Sequence, residues 1–281
     1  MQSSNTIFYK GVTIHYTVTG KGQGVVLLHG FGETGEIWKN QIEFLSKSFK
    51  LIIPDIPGSG KSDYLLNADI ETYAEILKNI LDAVLNTENL ITNTNTLSKK
   101  SNNTFSLIGH SMGGYIALAF AEKYPAYLNS LGLFHSSAFA DTEEKRAMRK
   151  KAIEFISSKG AAAFLKSSIP TLFTSNFTDK NFKQVKQLIN KGKNFSADAL
   201  IQYYSAMSNR PDRRGILEKF DGPVLFIIGE WDTAVPLQQS LQQCHLPAKS
   251  YISILTLSAH MGLLEEAEKA NKILFNFLSA I

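Results

Sequence analysis

Short apolar runs recur along this 281-residue chain, and segments with helical spacing separate most of them. Residues 12–18 alternate between apolar and polar side chains, which is typical of a half-buried strand, and residues 7–10 are expected to pair with them in a hairpin. Apolar runs without alternation, typical of strands buried on both faces, cover residues 25–28, 51–53, 105–108, 131–134, 224–228 and 252–257. Helical spacing covers residues 37–45, 70–85, 115–124, 237–243 and 263–278. This alternation predicts an α/β fold, with a mostly parallel, twisted sheet of about eight strands flanked by helices.

Two segments interrupt the alternation. Residues 86–104 are rich in Asn, Thr, Ser and Lys and hold few large apolar side chains, which predicts a mobile surface loop. Over residues 137–215 the strand signal disappears and helical spacing takes over. We therefore expect an α/β core made of residues 1–136 and 216–281, with an all-helical insertion of residues 137–215 between its two parts.

Composition and charge limit where the chain works and what it binds. Cys244 is the only cysteine, so no disulfide can form within the chain, and the N-terminus lacks a signal-peptide pattern. Both observations favour the cytoplasm. No apolar run approaches the ~18 residues that span a bilayer, so no membrane partner is expected. The net charge of +4 is uneven, because residues 141–214 hold fifteen Lys and Arg against seven Asp and Glu. Lysines on the wet faces of amphipathic helices explain this excess better than a nucleic-acid surface does, and nothing in the sequence indicates the oligomeric state.

Two glycine-rich motifs suggest nucleotide binding. Residues 30–35 read Gly-Phe-Gly-Glu-Thr-Gly, and Asp55 ends the next strand at the position of a ribose-binding acid. Two residues count against a dinucleotide there. Glu36 would repel the phosphates, and Trp38 would crowd the contact between the helix and the sheet. Residues 58–62 resemble the end of a phosphate-binding loop, but Asp55 occupies the place of its first glycine. A tight turn is the better interpretation of that second motif.

A third glycine-rich motif points to nucleophilic catalysis. Residues 105–114 combine a short apolar run with Gly-His-Ser-Met-Gly and then enter a helix. A sharp turn from strand to helix leaves Ser111 on strained backbone with its hydroxyl exposed. Gly109 and Gly113 are required there, because side chains beside the turn would collide with the adjoining strand or helix. Ser111 is therefore the candidate nucleophile.

A serine nucleophile needs a base, and the base needs an acid that orients it. His260 follows the last predicted strand, and Asp232 follows the one before it, so both project from the strand ends where Ser111 emerges. Capping the next helix is the alternative role for Asp232. Glu230 is its nearest competitor but lies too close to the strand end. Three further histidines, His29, His110 and His135, are expected to support loops by hydrogen bonds.

With these motifs in place, the chain resembles an α/β-hydrolase over nearly its whole length. The resemblance rests on the hairpin and on His29-Gly30-Phe31-Gly32, Asp55-x-x-Gly58-x-Gly60-x-Ser62, Gly109-His-Ser-Met-Gly-Gly114, Gly229-x-x-Asp232-x-x-x-Pro236 and His260. It implies that Ser111 is the nucleophile, His260 the base and Asp232 the orienting acid. It also implies that the backbone N–H groups of Phe31 and Met112 hold the oxyanion. No metal or cofactor is expected.

The resemblance further implies that the helical insertion is a cap over the site. Its aromatic side chains are Phe139, Phe155, Phe164, Phe173, Phe177, Tyr203 and Tyr204, and helical spacing makes most of them core rather than substrate contacts. An apolar pocket under a lid favours a small or medium carboxylic ester as substrate. Three alternatives stay open: a carbon–carbon bond hydrolase, a cofactor-free perhydrolase, and a non-enzymatic receptor or partner-binding protein. These alternatives differ in the cap residues that contact the substrate, and sequence spacing does not identify those residues.

Overall fold

A computed structural model describes residues 3–92 and 104–281. Eight strands lie within these ranges: β1 Ser3–Tyr9, β2 Val12–Thr19, β3 Gly24–Leu28, β4 Lys50–Pro54, β5 Phe105–His110, β6 Leu128–Phe134, β7 Val224–Gly229 and β8 Ser250–Leu255. They form one sheet in the order β1-β2-β4-β3-β5-β6-β7-β8. Strand β2 pairs antiparallel with β1 and β4, and all other pairs are parallel. The predicted fold class, number of strands and N-terminal hairpin are confirmed.

Twelve α-helices accompany the sheet in the described residues. They are α1 Lys39–Leu45, α2 Ile70–Thr92, α3 Met112–Lys123, α4 Glu143–Lys159, α5 Ala161–Ser168, α6 Ser175–Lys180, α7 Phe182–Gly192, α8 Ala197–Asn209, α9 Arg214–Lys219, α10 Leu237–Leu241, α11 Gly262–Glu265 and α12 Ala267–Ser279. Short 3₁₀ turns precede α1, follow α3 and follow α5. None of the described helices is long and apolar enough to cross a membrane.

Two predicted boundaries were wrong. Helix α2 runs to Thr92, so residues 86–92 are helical rather than part of a loop, and residues 93–103 of that predicted loop lie outside the described ranges. The single helix expected over residues 263–278 is two helices that break at Glu266. Glu266 Oε2 accepts hydrogen bonds from the Leu257 N–H and the Ser258 hydroxyl, both at 2.8 Å. The break therefore anchors the loop that leads to His260.

The segment between β6 and β7 contains only helices, as predicted. Helices α4 to α9 occupy it, and α9 extends past residue 215 to Lys219. Polar side chains that accept a backbone N–H start three of these helices: Thr142 for α4, Thr174 for α6 and Ser196 for α8. Because β5 to β8 are parallel, the loops after them, together with this helical segment, meet at one edge of the sheet.

Helix α3 packs against strand β3 too closely for a side chain at Gly113. A Cβ atom there would lie 2.5 Å from the Leu28 carbonyl oxygen. We expect Gly113→Ala to lower the free energy of unfolding by at least about 2 kcal/mol, because backbone must move to relieve the overlap. Urea denaturation measures the change. The matched control is Gly215→Ala, which adds the same methyl group to the exposed face of α9 with nothing within 4 Å and should stabilise slightly. Equal stability of the two variants would contradict the close approach.

Candidate active site

Ser111 lies on the turn between β5 and α3 in a left-handed conformation, with φ 51° and ψ −117°. Its N–H donates to the Phe134 carbonyl at 2.9 Å, and its own carbonyl accepts from the Ser136 hydroxyl at 2.7 Å. Position 109, two residues before Ser111, must be glycine, because a Cβ atom there would lie 2.3 Å from the Gly113 carbonyl oxygen. Non-glycine residues rarely adopt such a positive φ, so these contacts hold the strain that the motif predicts.

The structure brings Ser111, His260 and Asp232 together. His260 Nε2 lies 2.9 Å from Ser111 Oγ, and His260 Nδ1 lies 2.8 Å from Asp232 Oδ2. Asp232 and His260 are buried. These distances allow one hydrogen-bonded chain from carboxylate through imidazole to hydroxyl, which is the arrangement that makes a serine hydroxyl nucleophilic.

Asp232 is held as a carboxylate. Its Oδ1 accepts the N–H groups of Ala234 and Val235 at 2.9 and 2.8 Å. Burial alone would raise the pKa of Asp232, but the neighbouring His260 and His135 outweigh burial and hold that pKa well below its usual range. The carboxylate therefore stays charged at neutral pH and orients the His260 ring, while its own Oδ1 also caps the following turn.

His135 lies under the same carboxylate. It adopts a positive φ of 48° at the end of β6, and its Nδ1 lies 3.3 Å from Asp232 Oδ2. The N–H groups of Gly229 and Gly262 face its two ring nitrogens at 3.0 and 3.3 Å. Burial lowers the pKa of His135 to about 4, so its ring is neutral at pH 7. A neutral imidazole accepts at one nitrogen only, so it can accept only one of these two N–H groups. The ring is packed among the loops of Gly229, Asp232 and Gly262, which is the supporting position expected for it.

The nitrogen and oxygen atoms of His135, Asp232 and His260 lie within 4.8 Å of one another, close enough to coordinate a metal ion. The same atoms already form hydrogen bonds with each other, with the Ser111 hydroxyl and with a glycine N–H. Hydrogen bonds therefore explain why these three side chains lie together. None of their polar side-chain atoms lacks a hydrogen-bond partner, so the cluster does not need a metal ion to satisfy it.

The two backbone N–H groups expected to hold an oxyanion are available. Met112 is the first residue of α3, so its N–H has no acceptor inside the helix. Among the described residues neither it nor the Phe31 N–H donates to another group. The preceding N–H, that of Gly30, donates to Glu33 Oε2 at 2.6 Å.

Glu33 forms a buried ion pair with His110 that no motif in the sequence predicts. His110 Nδ1 lies 3.0 Å from Glu33 Oε2, and His110 Nε2 lies 3.0 Å from the His260 carbonyl oxygen. Both acceptors lack hydrogens, so both ring nitrogens donate and His110 is an imidazolium. Burial opposes that charge, but Glu33 outweighs burial and raises the pKa of His110, while the pKa of Glu33 is lowered. The pair ties the Phe31 loop to the His260 loop.

A cavity of about 360 Å³ opens over Ser111 and His260. Core and inserted helical segment both line it, and Tyr204 is the one predicted cap aromatic among its lining residues. Tyr203 is core instead, with its hydroxyl donating to the Pro57 carbonyl at 2.7 Å. Lys145 and Arg149 of α4 also line the cavity, although the sequence predicted that the basic residues of this segment lie on solvent-exposed helix faces. Their position depends on how α4 is rotated against the core, which local spacing does not reveal.

One carboxylate explains both nucleotide-like motifs. Asp55 Oδ1 accepts the Gly35 N–H at 2.9 Å, and Asp55 Oδ2 accepts the Lys61 N–H at 3.0 Å. These are amides that a bound phosphate would have needed. The two glycine-rich segments are thus fastened to each other through Asp55.

Asp55 also takes part in a second Ser–His–Asp contact. His15 Nδ1 lies 3.1 Å from Asp55 Oδ2, and His15 Nε2 lies 2.6 Å from Ser4 Oγ. Ser4 lies on the outer strand β1, in extended backbone, with no helix N-terminus behind it and no place in the cavities at the strand ends. Hydrogen-bond distances alone therefore do not distinguish a nucleophile, and Ser111 is distinguished by its turn and its cavity.

The Glu33–His110 pair has a testable effect on stability. The raised pKa of His110 means that its contribution is complete below the ordinary histidine pKa and is lost as pH rises through the raised value. We expect Glu33→Gln to lower the free energy of unfolding by about 2 kcal/mol at pH 6 and by less at pH 9, measured by urea denaturation. Glu36→Gln, which breaks only an exposed ion pair with Lys191, should change it by under about 0.5 kcal/mol. A loss that is equal at both pH values would show that His110 is neutral.

Known proteins resemble the chain over most of its length. A model of the α/β hydrolase fold matches residues 24–267. The 2-hydroxy-6-oxononadienedioate/2-hydroxy-6-oxononatrienedioate hydrolase of Paraburkholderia phymatum is 26% identical, over 94% of this chain and 90% of its own. The pimeloyl-[acyl-carrier protein] methyl ester esterase of Vibrio cholerae is 24% identical, over 95% and 98%. A solved thermophilic esterase from Thermogutta terrifontis superposes with a TM-score of 0.87 at 24% identity, covering 100% of this chain and 98% of its own. The chain therefore belongs to the α/β-hydrolase family of hydrolase enzymes.

Proposed function

We propose that this hydrolase cleaves a small or medium carboxylic ester through an acyl-enzyme on Ser111. The observation that carries the proposal is the continuous chain from Asp232 through His260 to Ser111, with the hydroxyl facing a cavity of about 360 Å³. Ester cleavage by this route needs a nucleophile, a base, an oriented acid and two oxyanion donors. The family assigned above makes each of these roles chemically reasonable for the residues in place.

In the first half of the reaction, Ser111 Oγ attacks the ester carbonyl carbon while its proton passes to His260 Nε2. The negative charge that develops on the carbonyl oxygen is bound by the N–H groups of Phe31 and Met112, and Asp232 stabilises the imidazolium. When the tetrahedral intermediate collapses, the carbon–oxygen bond to the alcohol breaks and His260 gives that alcohol its proton. Water then repeats the steps on the acyl-enzyme, with His260 as base, and releases the acid and Ser111.

We further propose that residues 137–215 act as a cap on a core of residues 1–136 and 216–281. One contact supports this division: the His260 N–H donates to the carbonyl oxygen of Leu172, in the inserted segment, at 2.9 Å. Because that bond positions the proposed base, movement of the segment would change the geometry at Ser111. A small-molecule substrate fits the cavity, and cytoplasmic localisation stays a prediction from composition.

The relatives' names bear on the substrate without deciding it. One is named for ester hydrolysis and another for hydrolysis of a 2-hydroxy-6-oxo dioate, at similar identity to this chain. Carbon–carbon bond hydrolysis is thus the second candidate. The same triad would attack a ketone carbonyl, so the leaving group rather than the nucleophile separates the two activities. A panel of p-nitrophenyl esters of rising chain length, run beside a diketone acid, compares them directly.

Covalent labelling tests the nucleophile. A fluorophosphonate probe should label the wild-type protein at one site, and Ser111→Ala should abolish labelling and lower kcat for ester hydrolysis on the order of 10⁶-fold. The matched control is Ser4→Ala, which removes the other serine that contacts a histidine. It should leave labelling and turnover unchanged. Labelling that survives in Ser111→Ala would refute the assignment, and labelling without repeated turnover on any ester would favour the receptor alternative.

The orienting acid can be tested separately. Asp232→Asn keeps the shape of the side chain but removes its charge and stabilises the wrong tautomer of His260. We expect kcat to fall by roughly 10⁴-fold, as in other triads. Glu230→Gln is the control, since Glu230 is exposed and next in sequence to the same turn. If Asp232→Asn kept more than a tenth of the wild-type kcat, the acid would have to be another residue.

A further inference from the structure

The wall of the Ser111 cavity carries more positive charge than its neighbours neutralise. Lys145 and Arg149 lie four residues apart on α4, so they project from the same face of that helix into the cavity. The ammonium group of Lys145 donates to the Ala234 carbonyl at 3.1 Å and to Gln239 Oε1 at 3.2 Å. Both acceptors are neutral. Within the described ranges Lys145 forms no ion pair with a carboxylate, and an ammonium has three donors, so one remains for a ligand.

Arg149 belongs to a cluster with a surplus charge. Its Nε donates to Asp141 Oδ2 at 2.5 Å, and Arg210 donates to Asp141 Oδ1 at 2.7 Å. Asp141 and Arg210 are buried, and two guanidinium groups share this single carboxylate. The two cations outweigh burial and hold the pKa of Asp141 below its usual value, so its negative charge is present. One positive charge is left over, and Arg210 Nε is buried without an acceptor.

The negative groups beside the cavity do not compensate this excess. Glu33 lines it, but the His110 imidazolium neutralises Glu33. Asp232 lies behind His260 and is engaged by it and by backbone N–H groups. The remaining wall combines apolar residues such as Met148, Leu172 and Val235 with uncharged hydroxyl groups such as those of Ser168 and Thr171. A cation beside apolar surface gains from an anionic partner.

We infer that this cavity binds an ester that carries a carboxylate away from the reacting carbonyl, with Lys145 and the Arg149 cluster as the anion subsite. The inference rests on the proposed function of Ser111, and it names the substrate class of that same site. Neutral esters of similar size would enter the cavity but leave the surplus charge unpaired, so the enzyme would select against them.

Matched pairs of esters test the inference. Each monomethyl ester of a dicarboxylic acid from succinate to suberate is compared with its neutral isostere, in which an isopropyl group replaces the carboxylate. A second set places the carboxylate on the alcohol, as in acyl glycolates against isobutyl esters. Acid release is followed by pH-stat titration. We expect kcat/KM to favour the charged member of at least one pair by roughly 10- to 100-fold, and this preference to shrink as salt concentration rises.

Variants of α4 assign that preference to the subsite. Lys145→Met should reduce the ratio of charged to neutral kcat/KM roughly 10-fold, and Lys145→Arg should restore most of it. Lys150→Met is the control, because it removes an exposed lysine from the same helix, and the ratio should not change. Equal kcat/KM for the charged and the neutral ester in every pair would overturn the inference. A Lys145→Met variant that loses activity on charged and neutral esters in the same proportion would also overturn it, because Lys145 would then act only through its hydrogen bonds to Ala234 and Gln239.

Binding separates failure of the subsite from failure of the chemistry. Calorimetry with Ser111→Ala and monomethyl adipate should show binding that weakens in Ser111→Ala/Lys145→Met. If the wild-type protein hydrolyses no ester yet this difference in binding is found, the proposed function fails and the anion subsite stands. If esters are hydrolysed but neither charged selectivity nor this difference is found, the proposed function stands and the subsite is refuted.

Discussion

The turn between β5 and α3 is the constraint on which the rest of the site depends. Backbone passes backbone so closely there that Gly109 and Gly113 leave no room for a Cβ, and Ser111 is held at a positive φ between them. Strain of this kind persists only where surrounding structure over-determines it. Strands β3 and β6 on either side of β5 provide that structure, which places Ser111 at the end of an interior strand of the sheet.

Around this turn, buried charged groups hold the neighbouring loops in place. His110 follows Gly109 in the same motif, and as an imidazolium it joins the Glu33 carboxylate to the His260 carbonyl. Asp232 is fixed by backbone N–H groups on one side and faces His260 and His135 on the other. Buried charges cost free energy unless they are paired and hydrogen-bonded, and here the paired groups are the ones that set loop positions. Precision at the proposed catalytic centre thus depends on electrostatics as well as on packing.

The inserted helical segment contacts both the cavity and the residues of the proposed catalytic centre. Leu172 accepts the His260 N–H, and Lys145 reaches across to the Ala234 carbonyl, next to the turn that Asp232 caps. The segment therefore contacts His260, the loop of Asp232 and the cavity at once. Lys145 already joins the helical segment to the core through its bond to Ala234. An anion bound by Lys145 would therefore contact the same side chain that helps to hold the segment against the core.

Much of this protein is determined by local sequence. Apolar runs specify the strands because burial on both faces leaves no alternative pattern, and Gly-His-Ser-Met-Gly specifies the turn because only glycine fits beside it. Local sequence predicts helix ends less well. Helix α2 continues through polar residues to Thr92, because adding residues to a formed helix costs little free energy. The last predicted helix breaks at Glu266, whose side chain bonds to Leu257 and Ser258. Tertiary structure alone decided that Glu33 meets His110, 77 residues away, and that Lys145 and Arg149 line the cavity. The physical reason is that a charge's partner is chosen by how whole elements pack, and the spacing of residues along one element carries no record of that choice.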